Sequence, residues 1–249
     1  MRHRISAILL AALLLSCSNG KTLTAIEAGN IAVTHIEKND GATKVRAILE
    51  KSRAAVDSIK APVIGTAAME LAVYPPESPL MNFAADALRT MAQQHSDTPI
   101  DIAITNKGGL RSTLPQGIIT FGDVYNVFPF ENTLALLTLN GNELLQLFAE
   151  IAKVGGEAIS GARLTITPAG ELLTATVNGK PVAAEREYRI ATSDYLSQGN
   201  DKLYTLAKGR NKVIKSDITI RGLMIQHIAH LHSRGKAVEA STDGRITVK

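Results

Sequence analysis

Three polar loops carry the residues best suited to chemistry, and the first and third of them follow stretches that the sequence predicts to be strands. The first loop reads Asn106-Lys-Gly-Gly-Leu-Arg111. Gly108 and Gly109 allow either a positive φ or a close approach of the backbone to a ligand, and the Arg111 guanidinium matches a phosphate or a carboxylate. The loop lacks the Gly-Lys-Ser/Thr of a P-loop, so a nucleoside triphosphatase is not indicated. A tight turn with a solvated arginine would explain the same residues.

The second loop, residues 121–132, contains four of the ten Phe and Tyr residues of the chain. Tyr125 and Phe128 are predicted to be core residues. Phe130 follows a proline and precedes polar Glu131 and Asn132, so we expect its ring to face a ligand. The segment also matches a Gly-Asp-x-x-Asn element of metallophosphoesterases, but the histidines that complete such a dinuclear site do not occur in the chain, and we discount the match.

The third loop, residues 191–201, again begins at the end of a predicted strand. Tyr195 offers a second aromatic face in this loop. Asp201 offers an acceptor for sugar hydroxyl groups. One such loop would be weak support for a binding site, whereas three in one chain indicate a site for a ligand with an aromatic ring, a sugar and an anionic group.

Together the three loops resemble a known family. The motifs that carry the likeness are Asn-x-Gly-Gly-Leu-Arg, then Gly-Asp-Val-Tyr-Asn-Val-Phe-Pro-Phe-x-Asn, then Thr-Ser-Asp-Tyr-Leu-x-x-Gly-x-Asp. They are similar to the C-terminal, substrate-binding domain of the 5′-nucleotidase, UDP-sugar hydrolase and 2′,3′-cyclic phosphodiesterase family. The likeness extends from about Gly29 to the closing Asp243-Gly-Arg-Ile-Thr.

This resemblance implies roles for the loop residues. In the family, two aromatic rings sandwich the nucleobase, and Phe130 and Tyr195 would be those rings. Stacking contributes about 1–3 kcal/mol for any base, which suits a scavenging enzyme that tolerates several nucleotides. The other implied binding residues are Asn132 at the base edge, Asp201 at the ribose, and Asn106 and Arg111 on the phosphate side, with Gly108 and Gly109 in the same loop.

The chain departs from the family pattern at three places. Pro75-Pro76 stands where many relatives have a further phosphate-side arginine, and the loop around Asp201 reads Gly-Asn-Asp-Lys where the family has Gly-Gly-Asp-Gly. The family's N-terminal metallophosphatase domain, which holds two metal ions, is missing from the sequence. Since uncatalysed phosphate ester hydrolysis is extremely slow, we expect no activity from this chain alone.

Metal binding by the chain itself is not expected. His35 and His95 are isolated, and His227 falls on the apolar stripe of a predicted helix, where a core histidine is the ordinary outcome. His230 and His232 near the end of that helix are favoured by its dipole. We therefore expect no cofactor on this chain and place the divalent metals in a separate metallophosphatase polypeptide.

The first residues resemble a bacterial lipoprotein signal. A basic start is followed by an apolar run of residues 5–15 and by Ser16-Cys17. This run is too short for a transmembrane helix, which needs about 20 residues. We expect a signal peptide at 1–16, a lipidated Cys17 with a tether to residue 28, and a domain over 29–249. The alternative is an ordinary cleaved signal. The predicted location is the periplasmic face of a bacterial membrane or the outer membrane.

Composition and periodicity set the fold class. The 249 residues are 45% hydrophobic with one cysteine, which excludes a disordered or disulfide-stapled chain. Without Arg2 and Arg4 of the signal, 25 basic residues face 23 acidic ones, so the charge of +2 argues against coating a nucleic acid. The mixed pattern predicts a single α/β (α+β mixed) domain with a mixed sheet covered by helices. Helices are predicted at residues 41–58, 79–94, 141–153 and 217–233, strands at 31–36, 100–105, 134–139, 162–167, 175–178, 188–192 and 245–248, and an extended segment at 63–73.

Two functions remain open from the sequence. The chain could supply the nucleotide-recognition part of a split 5′-nucleotidase-type hydrolase that works in nucleotide catabolism. Alternatively, it could be a non-catalytic lipoprotein that binds nucleotides or nucleotide sugars at the cell surface. A purely structural lipoprotein would leave the three loops without an explanation.

Overall fold

The computed structural model describes Ala25, Gly29 and residues 40–249. The chain divides into two units between residues 48 and 49, and the described strands all lie in the second. The predicted signal peptide, Cys17, the tether and the strand predicted at 31–36 lie outside the described residues, apart from the two isolated positions.

The described part of the chain contains five α-helices, five short 3-10 helices and eleven strands. The α-helices are α1 (Asp40–Lys60), α2 (Pro79–Ala92), α3 (Phe121–Val127), α4 (Gly141–Lys153) and α5 (Ile220–Ser233). The strands are β1 (Val63–Ala67), β2 (Ile102–Thr105), β3 (Gly117–Thr120), β4 (Thr133–Asn140), β5 (Ala158–Ser160), β6 (Ala162–Ile166), β7 (Leu172–Val177), β8 (Lys180–Pro181), β9 (Glu187–Ser193), β10 (Arg210–Thr219) and β11 (Ile246–Val248).

The central sheet has five strands in the order β10-β4-β9-β2-β5. β2 and β9 run parallel, and the other three neighbouring pairs are antiparallel. A second sheet of four strands has the order β11-β6-β7-β8, and β1 pairs with β3. The predicted mixed α/β class is therefore confirmed, with three sheets where one was expected.

Both faces of the central sheet are covered, as alternating side chains of β4 show. Leu134 and Leu136 pack into a core with α2 and α5. Leu137 and Leu139 point the other way, into a core with α4 and the four-stranded sheet. Because side chains alternate across a strand, one continuous apolar run supplies both layers.

Side-chain caps fix where the helices begin. Ser78 accepts a hydrogen bond from the Met81 amide at the start of α2, with proline in its first turn, as the sequence predicts. At α4 the Asn140 side chain and Glu143 form a capping box, and this helix has the predicted bounds. α1 and α2 also lie where predicted, within two residues at each end.

Two sequence predictions are wrong. Residues 121–127 form helix α3 rather than a loop, because Thr120 and Asp123 close a capping box at its start. Residues 217–219 end strand β10 instead of opening the last helix, which Thr219 caps so that it begins at Ile220. Within the part of the chain that the structure describes, no helix is long and apolar enough to cross a membrane.

Candidate functional site

The first loop, the third loop and the segment before β4 meet at one edge of the central sheet, which is formed by the ends of β2 and β9 and the start of β4. β2 and β9 are parallel, so the segments that follow Thr105 and Ser193 leave the sheet side by side. β4 is antiparallel to β9 and pairs Leu134 with Ser193, which brings the residues before β4 to the same edge. The Asp194 side chain joins the two strands by accepting a hydrogen bond from the Thr133 amide at 3.0 Å. Segments far apart in the sequence therefore form one surface.

The Asp201 carboxylate links the first loop to the third. Its Oδ2 accepts a hydrogen bond of 2.6 Å from Asn106 Nδ2, and its Oδ1 accepts one of 2.8 Å from the Tyr195 hydroxyl. Asp201 adopts a left-handed backbone with φ of 54°, which places its side chain between the two partners. Three of the predicted binding residues are thus in direct contact.

The bond to Asp201 perturbs Tyr195. The neutral hydroxyl donates to a carboxylate, so loss of its proton removes a hydrogen bond and sets two negative charges together. The pKa of Tyr195 is raised for this reason, with a smaller contribution from burial. Tyr195 is 38% exposed, so part of its ring remains open to solvent.

An ion pair between the partly exposed Lys107 and the buried Glu157, which the sequence did not reveal, holds the first loop. Glu157 Oε2 accepts a hydrogen bond from the Lys107 backbone amide at 2.5 Å, and Oε1 lies 3.1 Å from Lys107 Nζ. The same Nζ donates to the carbonyl groups of Val154 and Gly156. Burial raises the pKa of Glu157 although each contact with Lys107 lowers it. Lys107 is committed to this anchor rather than to a ligand.

The two glycines of the first loop do not have the positive φ that the sequence allowed. They lie in a short 3-10 turn, and the positive-φ glycines of the described chain are at other positions. Close approach is the requirement at Gly109, where an added Cβ would lie 2.8 Å from Asn106 Oδ1. At Gly108 a Cβ would meet Asn106 and Asp201 at 3.9 Å, an ordinary contact.

Arg111 lies exposed beside this turn. Its Nη1 is 3.4 Å from the Gly108 carbonyl oxygen, and its backbone amide donates to the Val127 carbonyl. No carboxylate of the described residues pairs with its guanidinium. The backbone is therefore fixed while the charge stays open to solvent.

Phe130 and Asn132 occupy the segment before β4. Phe130 is 50% exposed, as the sequence predicts for a ring that faces outward, and Phe128 is buried as predicted. The Asn132 carbonyl accepts a hydrogen bond from the Ile220 amide. Phe130 and Asn132 line one small concavity with Asn106 and Gly109, which connects this segment to the first loop.

Tyr125 corrects another expectation. It is 36% exposed and is not a core residue. Its ring lies 4.1 Å from the guanidinium carbon of Arg221. Arg221 is a second residue that sequence reasoning missed. The signal that could have identified it is a lone arginine in the apolar first turn of a helix.

Metal-binding candidates are not assembled in the described chain. Asp123 of the discounted metallophosphoesterase match caps α3, where its carboxylate accepts from the Thr120 amide and hydroxyl. His227 packs against Phe83, and burial lowers its pKa. Within the described residues no group of three His, Cys, Asp or Glu side chains could hold a metal ion.

Comparison with known proteins defines the class. Residues 61–209 match the 5′-nucleotidase C-terminal domain, so the chain belongs to this family. A cell wall protein of Listeria monocytogenes is 27% identical over an alignment of 232 residues that covers 82% of this chain and 29% of that protein. The trifunctional nucleotide phosphoesterase of Bacillus subtilis is 34% identical over an alignment of 140 residues that covers 50% of this chain and 9% of that protein.

Among solved structures, a 5′-nucleotidase precursor from Thermus thermophilus is similar, with a TM-score of 0.73 and 26% identity. The match covers 83% of this chain and 43% of that one. The chain thus spans less than half the length of each of these three proteins.

Proposed function

We propose that this chain recognises nucleotides and is the substrate-binding part of a 5′-nucleotidase-type phosphoester hydrolase. The ligand would be a nucleoside monophosphate or a nucleotide sugar. In this proposal the metal ions that activate water and neutralise the phosphate belong to a metallophosphatase domain or polypeptide separate from residues 40–249.

One observation carries the proposal: Asp201 joins Asn106 and Tyr195 at the sheet edge where Phe130 is half exposed. Aromatic faces suit a base, and the carboxylate suits sugar hydroxyls. The Asn106 amide and the Arg111 guanidinium, which forms no ion pair within the described residues, suit one phosphate group. These groups match the three parts of a nucleotide.

Location outside the cytoplasm is part of the proposal. The lipoprotein-like signal with Cys17 supports it, and so does the similarity to a protein named for the cell wall. Such an anchor would keep the chain at a membrane surface, where it takes part in nucleotide scavenging. Capture of nucleotides at the cell surface without hydrolysis is the second candidate, and it is favoured by a site made of recognition groups.

Titration of the purified full chain with AMP and with adenosine tests the binding proposal. Arg111→Met should weaken the binding of AMP much more than that of adenosine, because the N–H groups of the Arg111 guanidinium would bind the phosphate. Arg163→Met, another exposed arginine whose ion pair with Asp243 lies elsewhere, is the matched control and should change neither affinity. Equal weakening of both ligands by Arg111→Met would contradict the assignment.

Phosphate release separates the two candidate functions. AMP is incubated with Mn²⁺ and the full chain, with and without a candidate metallophosphatase partner. A partner-dependent rate that Phe130→Ala lowers would support the hydrolase component. Binding of AMP with no effect on the partner's rate would favour the capture protein.

A further inference from the structure

Arg221 holds the segment that carries Phe130. It is the second residue of α5 and is 7% exposed. Its Nη1 donates to the Phe128 carbonyl at 3.0 Å and lies 3.4 Å from the Phe130 carbonyl oxygen, and its Nη2 binds the Glu131 carboxylate. One side chain therefore contacts three of four consecutive residues in the stretch between α3 and β4.

The position of Arg221 is unfavourable for an arginine. A cation in the first turn lies at the positive end of the helix dipole, and burial of a charge is costly unless the charge is paired. Glu131 supplies the counter-charge and the Tyr125 ring lies against the guanidinium. The partners that make this buried charge tolerable belong to α3 and to the Phe130 segment, so the arrangement ties that segment to α5.

Apart from these contacts, the backbone hydrogen bonds of the segment within the described chain lie at its ends. The Phe128 amide donates to the Val124 carbonyl, and the Asn132 carbonyl accepts from the Ile220 amide. Between these ends, Arg221 supplies the hydrogen bonds to the carbonyl groups of Phe128 and Phe130. A half-exposed ring on such a stretch keeps one orientation only while its backbone is held.

We propose that Arg221 is a positioning residue that fixes the Phe130 ring for stacking on a nucleobase. This inference rests on the proposed function. Arg221 lines the small concavity beside Phe130 and Asn132, and its guanidinium is hydrogen-bonded to the protein backbone there. Arg221 acts through the backbone of residues 128–131.

Fluorescence tests the positioning without any ligand. The chain has no tryptophan, so Phe130→Trp introduces a single reporter at the ring itself. In that background Arg221→Met should lower the steady-state anisotropy and increase acrylamide quenching, and Arg221→Lys should recover part of the difference. Arg210→Met is the control, since Arg210 pairs with Glu143 and Glu187 instead. Unchanged fluorescence in Arg221→Met would overturn the proposal.

A double-mutant cycle with the full chain tests the consequence for binding. Arg221→Met should weaken AMP and adenosine by the same factor, and by no more than Phe130→Ala, for which we expect about 5- to 150-fold. In the Phe130→Ala background it should add little. Full additivity of the two changes would show that Arg221 does not act through Phe130, and the proposal would fail.

Failure of the proposed function and failure of the Arg221 proposal give different results. If the wild-type chain binds neither AMP nor adenosine, the proposed function fails, while the fluorescence result still decides the role of Arg221. If Arg221→Met does not fold, Arg221→Lys and Glu131→Gln replace it. Each should then raise quenching in the Phe130→Trp background, and no change in either would overturn the proposal.

Discussion

Asp201 is the residue on which the candidate site depends most. Its two carboxylate oxygens bind Asn106 and Tyr195, which come from different loops. A sugar hydroxyl that approaches Asp201 must share these oxygens or displace one partner. Asp201 therefore orients the aromatic ring in addition to the sugar-binding role that the family resemblance implies.

Asp201→Asn should lower the pKa of Tyr195 toward the ordinary value of about 10. The hydrogen bond to a carboxylate, which is the main reason for the raised pKa, becomes a weaker bond to a neutral amide, and asparagine tolerates the left-handed backbone at this position. NMR titration of ¹³C-labelled tyrosine measures the pKa, and Tyr195→Phe assigns the resonance. An unchanged pKa in Asp201→Asn would contradict the hydrogen bond.

The same bond makes a prediction for stability. Because the pKa of Tyr195 is raised in the folded state, the stabilisation from its hydrogen bond is fully present below the pKa of this tyrosine in the unfolded chain. It is lost as the pH rises through the folded-state pKa. The wild type should lose more stability than Tyr195→Phe when the pH rises above about 10. Urea unfolding at several pH values measures this difference, and parallel curves would count against it.

Gly109→Ala should disturb the site while Gly108→Ala should not. The new methyl group at 109 would lie 2.8 Å from Asn106 Oδ1, so the flexible amide must move and loses its geometry to Asp201. At 108 the added atom makes ordinary contacts. AMP affinity should fall several-fold in Gly109→Ala, by about 1 kcal/mol, with little change in melting temperature. Equal affinities of the two variants would refute the close-approach role of Gly109.

At the scale of elements, the parallel pair β2 and β9 brings the loops together. The sequence predicted the loops and both strands, but the Asn106–Asp201 bond joins residues 95 positions apart, and local patterns carry no information about such pairs. α4 was predictable because its capping box is local. β10 was not, because it is an edge strand with mostly exposed side chains and shows no burial alternation.

The capping box gives a prediction for α4. Asn140→Ala should lower the free energy of unfolding by about 1 kcal/mol, within a range of about 0.5–2 kcal/mol. Asn142 is exposed in the first turn of α4 and does not cap the helix. Asn142→Ala therefore removes the same kind of side chain and should change stability by less than about 0.5 kcal/mol. Urea denaturation midpoints compare the two variants. Similar losses in both would mean that the cap contributes nothing.

At the scale of the whole molecule, the chain belongs to the 5′-nucleotidase C-terminal domain family, whose model matches residues 61–209. Larger clefts of about 570 and 630 Å³ occur elsewhere in the described chain, whereas the concavity at the candidate site has about 20 Å³. A concavity of this size encloses only a small part of a nucleotide, and in the proposal a second domain covers the rest. Arg111 would then address the phosphate from one side, and the metal ions would approach it from the other.

The central claim is that a nucleobase stacks between Phe130 and Tyr195. Ligand-observed NMR detects AMP binding even at a millimolar dissociation constant, about −4 kcal/mol. We expect saturation transfer from the wild-type chain to the base protons of AMP, and its loss in the Phe130→Ala/Tyr195→Ala double variant with the fold retained. Identical saturation-transfer signals from the two proteins would contradict the base clamp and, with it, most of the case for a nucleotide ligand.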